Sequence, residues 1–208
     1  MTRILAGSDF HTGPLVDQFE ARLDEDRLPI FCGDLVDRPR HDSATYHEIL
    51  RRWRHRAPEL VVVPGNHDPD DAPEWEGVRV HERRGLSILA IPVIPILYKI
   101  PSWTHEYSEA RIAEMVEPFA GAAYDLVVSH GPPRGVCDRA AWGRHIGSRA
   151  LRDLAERIDF RLWLCGHVHE QSGARGTLRG RPVRNVARAV VEMEVPAGGI
   201  EARRPAAR

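Results

Sequence analysis

Cysteine and methionine are scarce in this chain, with three of each among 208 residues. Cys32, Cys137 and Cys165 form an odd, unpatterned set, which excludes a disulfide framework and fits a reducing, cytoplasmic setting. Cys32 and Cys165 each close an apolar run and read as small core residues. Long apolar runs are missing as well. The longest, residues 86–97, is interrupted by Pro92 and Pro95 and is too short to span a bilayer. Asp9 falls too early for the apolar region of a signal peptide, so no leader is expected. Nor is there an excess of one charge. Lys and Arg number 29 against 30 Asp and Glu, a net charge of −1, so no global basic field points to autonomous nucleic-acid binding.

What remains is the composition of an ordinary globular chain, 42% hydrophobic and 28% charged. Its length suits one domain. We expect that domain over residues 1–196, with a frayed tail at 197–208. The abundant residue is histidine, present 11 times.

Short apolar runs alternate with helical patterns. Residues 4–6, 28–32, 60–63, 86–94, 126–128 and 160–165 read as strands, several of them rich in β-branched side chains. Residues 43–56 place Tyr46, Ile49, Leu50 and Trp53 at helical spacing. Residues 108–116 and 148–158 behave likewise, with Ser108 and Ser148 as N-caps. Strands separated by helices imply βαβ units and a mostly parallel sheet. Residues 177–179 and 182–184, joined by a turn at Gly180, and the run 190–195 read as antiparallel strands that finish a sheet.

The histidines and acids follow the strands. Asp9-Phe10-His11 follows the first strand, and Gly33-Asp34-Leu35-Val36-Asp37 the second. Gly65-Asn66-His67-Asp68, Ser129-His130-Gly131 and Gly166-His167-Val168-His169 each follow later ones. In open parallel sheets the strand C-termini line the edge where ligands bind, so residues from 9 to 169 can converge there. Taken singly, each group has a structural reading: a strand-end cap, a hydrogen-bonded loop histidine, or a plain turn. Taken together, in order and at strand ends, they read as metal ligands. Asp9 with His11, and His167 with His169, share a side of an extended chain at i and i+2. Asp34 can bridge two cations through its two oxygens, and Asn66 offers a neutral amide oxygen. Two cations roughly 3.5–4 Å apart can activate a shared water, and their residual positive charge favours a phosphate.

The series D-x-H, GD-x-x-D, GNHD, SHG and GHVH resembles the calcineurin-like phosphoesterase superfamily over residues 4–190. The resemblance implies an α/β fold, a four-layer αββα sandwich of two mixed β-sheets flanked by helices. It implies two divalent metal ions, one held by Asp9, His11, Asp34 and His169, the other by Asp34, Asn66, His130 and His167. His67 would act on the leaving oxygen, and Asp68 would orient and charge His67. Asp37 matches the second motif and reads as a helix cap. Imidazole and oxygen donors suit Mn, Fe, Zn, Co or Ni better than Mg or Ca, and the resemblance favours Mn. Residues 129–133 and 165–170 resemble more narrowly a cyclic-nucleotide and aryl phosphodiesterase branch. The chain departs from that branch at Asn185-Val186-Ala187-Arg188, where an Asn-Pro-Gly-Ser-like turn is usual.

The expected function is hydrolysis of a small phosphodiester (a cyclic nucleotide, nucleotide or aryl ester) by attack of a bridging metal-bound hydroxide. The expected partner is that phosphate-ester substrate, with no membrane and no autonomous nucleic-acid binding. The rival readings are a phosphomonoesterase or protein phosphatase, a nuclease subunit, and a non-catalytic scaffold. The filled ligand positions and His67 weigh against the scaffold. Two stretches can overhang the site, 92–103 and 132–145. In them Tyr98, Trp103 or Trp142 either packs locally or stacks on a base or aryl group, while Arg134 or Arg144 meets a second phosphate.

Overall fold

A computed structural model describes residues 1–38, 41–71, 77–96 and 103–195. In chain order these form β1 (Thr2–Ser8), α1 (Leu15–Ala21), β2 (Arg27–Phe31), α2 (Ser43–Arg56), β3 (Val61–Val62), β4 (Arg79–Arg83) and β5 (Leu86–Ile91). Then come β6 (Ile94–Pro95), β7 (Glu106–Tyr107), α3 (Glu109–Val116), β8 (Ala123–Ser129), α4 (Arg149–Arg157) and β9 (Asp159–Cys165). The last strands are β10 (Arg175–Leu178), β11 (Arg181–Asn185) and β12 (Ala189–Val195). The expected tail lies outside the described residues.

Two mixed sheets stack face to face. One runs β12-β1-β2-β3 and the other β10-β11-β9-β8-β5-β4. The period-2 alternation of strand side chains divides the apolar residues into three layers. Ile4, Ala6, Leu28 and Ile30 of the first sheet meet Ile88, Ala90, Leu126 and Val128 of the second. The opposite faces of β1 and β2, through Leu5 and Phe31, pack on Phe19 of α1 and on Tyr46, Leu50 and Trp53 of α2. The outer face of the second sheet, through Leu89, Val127 and Trp163, packs on Ile112 of α3 and on Leu151 and Leu154 of α4. This is the four-layer αββα sandwich expected from the resemblance.

Several details differ from the sequence reading. The strand expected over 86–94 stops at Ile91, because Pro92 has no N–H to donate to a ladder. Ile94–Pro95 then pairs instead with Glu106–Tyr107 in a separate two-stranded ribbon. The C-terminal strands finish two sheets rather than one. β10 and β11 form a hairpin at the edge of the six-stranded sheet, whereas β12 runs antiparallel to β1 in the other. Helix α1 and strand β4 have no counterpart among the expected elements.

β1, β2 and β3 are parallel to one another, and so are β5, β8, β9 and β11. Their C-terminal ends meet at one edge of the sandwich. There Gly166 N donates to His130 O at 2.8 Å within the second sheet, and Asp9 N to Gly33 O at 2.8 Å within the first. His130 Nδ1 crosses between the sheets to Cys32 O at 2.6 Å.

Candidate metal centre

The strand-end loops place their acids and imidazoles by an unusual backbone. Asp9, His11, Asp34 and His167 all have φ between 49° and 66°, the left-handed region that residues with a Cβ seldom occupy. Such strain persists only where surrounding bonds impose it, and it concentrates at functional sites. Here the bonds are visible. Phe10 N donates to Asp34 O at 2.9 Å, Thr12 N to Leu35 O at 2.8 Å, and His167 N to Asp9 Oδ2 at 3.0 Å. Gly33, at φ +96°, brings its backbone so near Gly65 and His130 that any Cβ would collide with both.

Two groups of donors result: Asp9, His11 and His169, and Asp34, His130 and His167. In the first, His169 Nε2 lies 2.9 Å from Asp9 Oδ1 and 3.4 Å from His11 Nε2. His11 directs its other nitrogen, Nδ1, toward Asp37 Oδ1 at 3.1 Å. In the second, a carbonyl can only accept, so the bond to Cys32 O fixes the proton of His130 on Nδ1. Nε2 then faces Asp34 Oδ2 at 3.2 Å with no hydrogen bond between them, so either a proton or a metal cation must lie between the two. His167 Nε2 and Asn66 Oδ1 are likewise buried without a hydrogen-bond partner. Unpaired buried acceptors cost stability unless something satisfies them. The orphaned atoms and their chemistry therefore fit a pair of divalent cations; six of the seven residues expected as ligands gather in the two groups, and the seventh, Asn66, has its amide oxygen buried and unpartnered.

The electrostatics agree. Asp9 and Asp34 are each 2% exposed. Burial opposes the charge of Asp9, but its bond to His169 and the neighbouring His130 outweigh burial and lower its pKa. Asp34 is lowered too, His130 outweighing burial. Burial also opposes charge on His130, yet Asp34 and Asp9 raise it to about 9. Burial and His130 push His167 down to about 4, leaving a neutral imidazole available as a ligand.

His67 stands beside the first group, its ring centroid 5.0 Å from that of His11. Its Nδ1 donates to Asp37 O at 2.6 Å, which leaves Nε2 as the nitrogen that can pass a proton to a bound ester. The orientation expected from Asp68 is therefore supplied by the Asp37 main chain. Asp68 is wholly buried, and its oxygens accept from Asp34 N, Leu35 N and Gly65 N, each at 2.8 Å. It braces the ligand loops and makes no bond to His67. Asp37 is not the expected helix cap either, because α2 begins at Ser43 with Asp42 as its N-cap.

Two contacts to His67 and its loop have no local sequence signal for their role. Thr104 Oγ1 lies 2.7 Å from both Asn66 O and Asp68 O and clamps the turn. Trp103 stacks one face on the His67 ring while remaining 45% exposed. Tyr98 lies outside the described residues.

A sequence model described as calcineurin-like phosphoesterase matches residues 2–171. The chain belongs to that family, and fold and site together define it as a metal-dependent phosphoester hydrolase. Phosphopantetheinyl hydrolase from Mycobacterium tuberculosis shares the fold at a TM-score of 0.60 and 17% identity, over 89% of each chain. The protein TT1561 of Thermus thermophilus does so at 0.60 and 18%, over 88% of each chain. No curated protein matches the chain. No helix among the described residues is long and apolar enough to cross a membrane.

Proposed function

We propose that this protein hydrolyses a small phosphodiester. The observation that carries this reading is the adjacency of two buried donor groups to an imidazole that is held by a main-chain carbonyl and left with a free Nε2. Divalent cations, with manganese favoured, supply Lewis acidity toward the phosphoryl oxygens and lower the pKa of water. The chain's own residues do the rest. One Asp34 oxygen meets His130 and the other accepts from His67 N at 2.8 Å. Asp34 thereby ties the position of His67 to the ligand cluster. When its ring is doubly protonated, His67 gives the Nε2 proton to the departing ester oxygen, and the Asp37 carbonyl holds the ring in place. A diester is favoured over a monoester because the loop that follows His130, a member of the second donor group, lines a cleft able to take a second ester substituent. The free, buried state of all three cysteines supports a cytoplasmic setting.

Manganese-loaded protein should turn over bis(p-nitrophenyl) phosphate with higher kcat/KM than p-nitrophenyl phosphate. The reverse preference would replace the diester by a monoester. Turnover of neither would remove this reading.

A further inference from the structure

The chain between His130 and α4 encloses, with Pro95 and Ile96, a cleft of about 630 Å³. That volume suits a ligand larger than a single phosphate. Arg134, Arg144, His145 and Arg149 line it, against one carboxylate, Glu109. Glu109 is already engaged, accepting from Ser148 Oγ and Arg149 N at 2.8 Å and from Ala150 N at 2.9 Å. Arg134 Nη1 donates to His145 O at 2.8 Å. Among the described residues, the Arg144 and Arg149 guanidinium groups have neither a hydrogen bond nor an ion pair, so two cationic forks stand unspent at the rim of one cavity.

The cleft is built rather than incidental. Asp138, 1% exposed, accepts from Gly135 N at 2.9 Å and Gly147 N at 3.1 Å and sits 2.6 Å from His145 Nδ1. One buried carboxylate thus closes the loop and leaves Nε2 as the His145 nitrogen available to a ligand. The loop is also stitched to the segment that carries His169. Ala141 N donates to Glu170 Oε1 at 3.2 Å, and Gln171 Nε2 to Arg139 O at 3.1 Å. The cleft therefore shares its frame with ligands of both donor groups. Trp142, 60% exposed, adds an indole to its wall. A large apolar ring left in water beside guanidinium groups matches a partner that is aromatic at one point and anionic at the next.

We propose that this cleft binds the non-reacting end of the substrate, a second phosphate held by Arg144 and Arg149 with an aromatic base against Trp142. The substrate class is then a nucleoside carrying at least two phosphates. This rests on the phosphoesterase reading for its biological sense, but it can be tested without turnover.

The probes are ADP, inorganic pyrophosphate and adenosine, titrated calorimetrically into protein stripped of metal with EDTA. ADP should bind most tightly, pyrophosphate more weakly and adenosine weakest. Arg144→Ala with Arg149→Ala should weaken both ADP and pyrophosphate about 10- to 100-fold, the loss expected for two charge-assisted contacts. Trp142→Ala should weaken ADP and leave pyrophosphate unchanged. Unaltered melting temperatures show that these exposed substitutions leave the fold intact. Failure of metal-free protein to bind ADP, or ADP affinity that survives the double substitution, overturns the assignment. ADP affinity indifferent to Trp142→Ala overturns its aromatic half. Turnover of bis(p-nitrophenyl) phosphate by wild-type protein reports separately on the phosphodiesterase reading. Either result can fail while the other stands.

Discussion

The Trp103 indole lies flat against the His67 imidazole, with ring centroids 4.2 Å apart and planes inclined by 26°. His67 is thus held from two directions, by the Asp37 carbonyl at Nδ1 and by an aromatic face. The two contacts restrict its motion without consuming Nε2.

Trp103→Ala should lower kcat on bis(p-nitrophenyl) phosphate about 2- to 10-fold, the worth of one aromatic stacking contact, with metal content unchanged. Trp103→Phe should recover most of the loss. A change confined to KM would make Trp103 a substrate contact instead of a positioning residue.

His67→Ala should lower kcat by on the order of 10²- to 10⁴-fold while both metals stay bound, as expected when a general acid is removed. An aryl ester with a more acidic leaving group should lose less, because it needs less protonation. Equal losses across leaving groups would show that His67 does not protonate the departing oxygen.

Asp68→Asn separates bracing from orienting. The carboxylate accepts main-chain N–H groups from both the Asp34 and Gly65 loops, and an amide cannot satisfy all of them. The variant should lose about 1–3 kcal/mol of stability and bind metal more weakly. A normal melting temperature with a reduced kcat alone would restore the role first expected of Asp68, the orientation of His67.

How much of the site could be read in advance depends on how local each signal is. Each candidate ligand sits within a few residues of a strand end, so Asp9, His11, Asp34, Asn66, His130, His167 and His169 could be picked out from short motifs. Tertiary relations were not. Asp68 follows His67 in sequence, yet its oxygens reach back to Asp34, and what holds His67 is a carbonyl that carries no residue signature. The fold divides in the same way. Helix α2 shows its buried stripe plainly, and Ser108 and Ser148 cap α3 and α4 as expected, accepting from Arg111 N and Leu151 N. Helix α1 is seven residues long with no side-chain cap, and β4, Arg79-Val80-His81-Glu82-Arg83, is a charged edge strand with no apolar run. Neither offers the periodicity from which an element is recognised.

Arg52 and Glu20 tie α2 to α1 through an ion pair at 2.7 Å, and Trp53 Nε1 donates to the same carboxylate at 3.2 Å. The bond from Arg52 outweighs partial burial and lowers the Glu20 pKa below its ordinary 4.5. A carboxylate lowered in the folded state stabilises above its unfolded pKa, and that contribution is lost as pH falls through the folded value. Arg52→Ala should therefore cost up to about 1 kcal/mol at pH 7, and the gap from wild type should close below about pH 4. Denaturant melts at the two pH values check this. A gap independent of pH would assign the loss to packing of the Arg52 stem.

On the metal-centre reading, two donor groups at one edge of the sandwich hold two cations through a common Asp34. The most direct test is the metal content of purified protein saturated with manganese and then desalted, measured by elemental analysis alongside the Asp34→Asn variant. Two ions per wild-type chain are expected, with a loss at both positions in the variant. Fewer than two ions in wild type with no turnover of any phosphate ester, or a variant that keeps both ions and full activity, would contradict that reading.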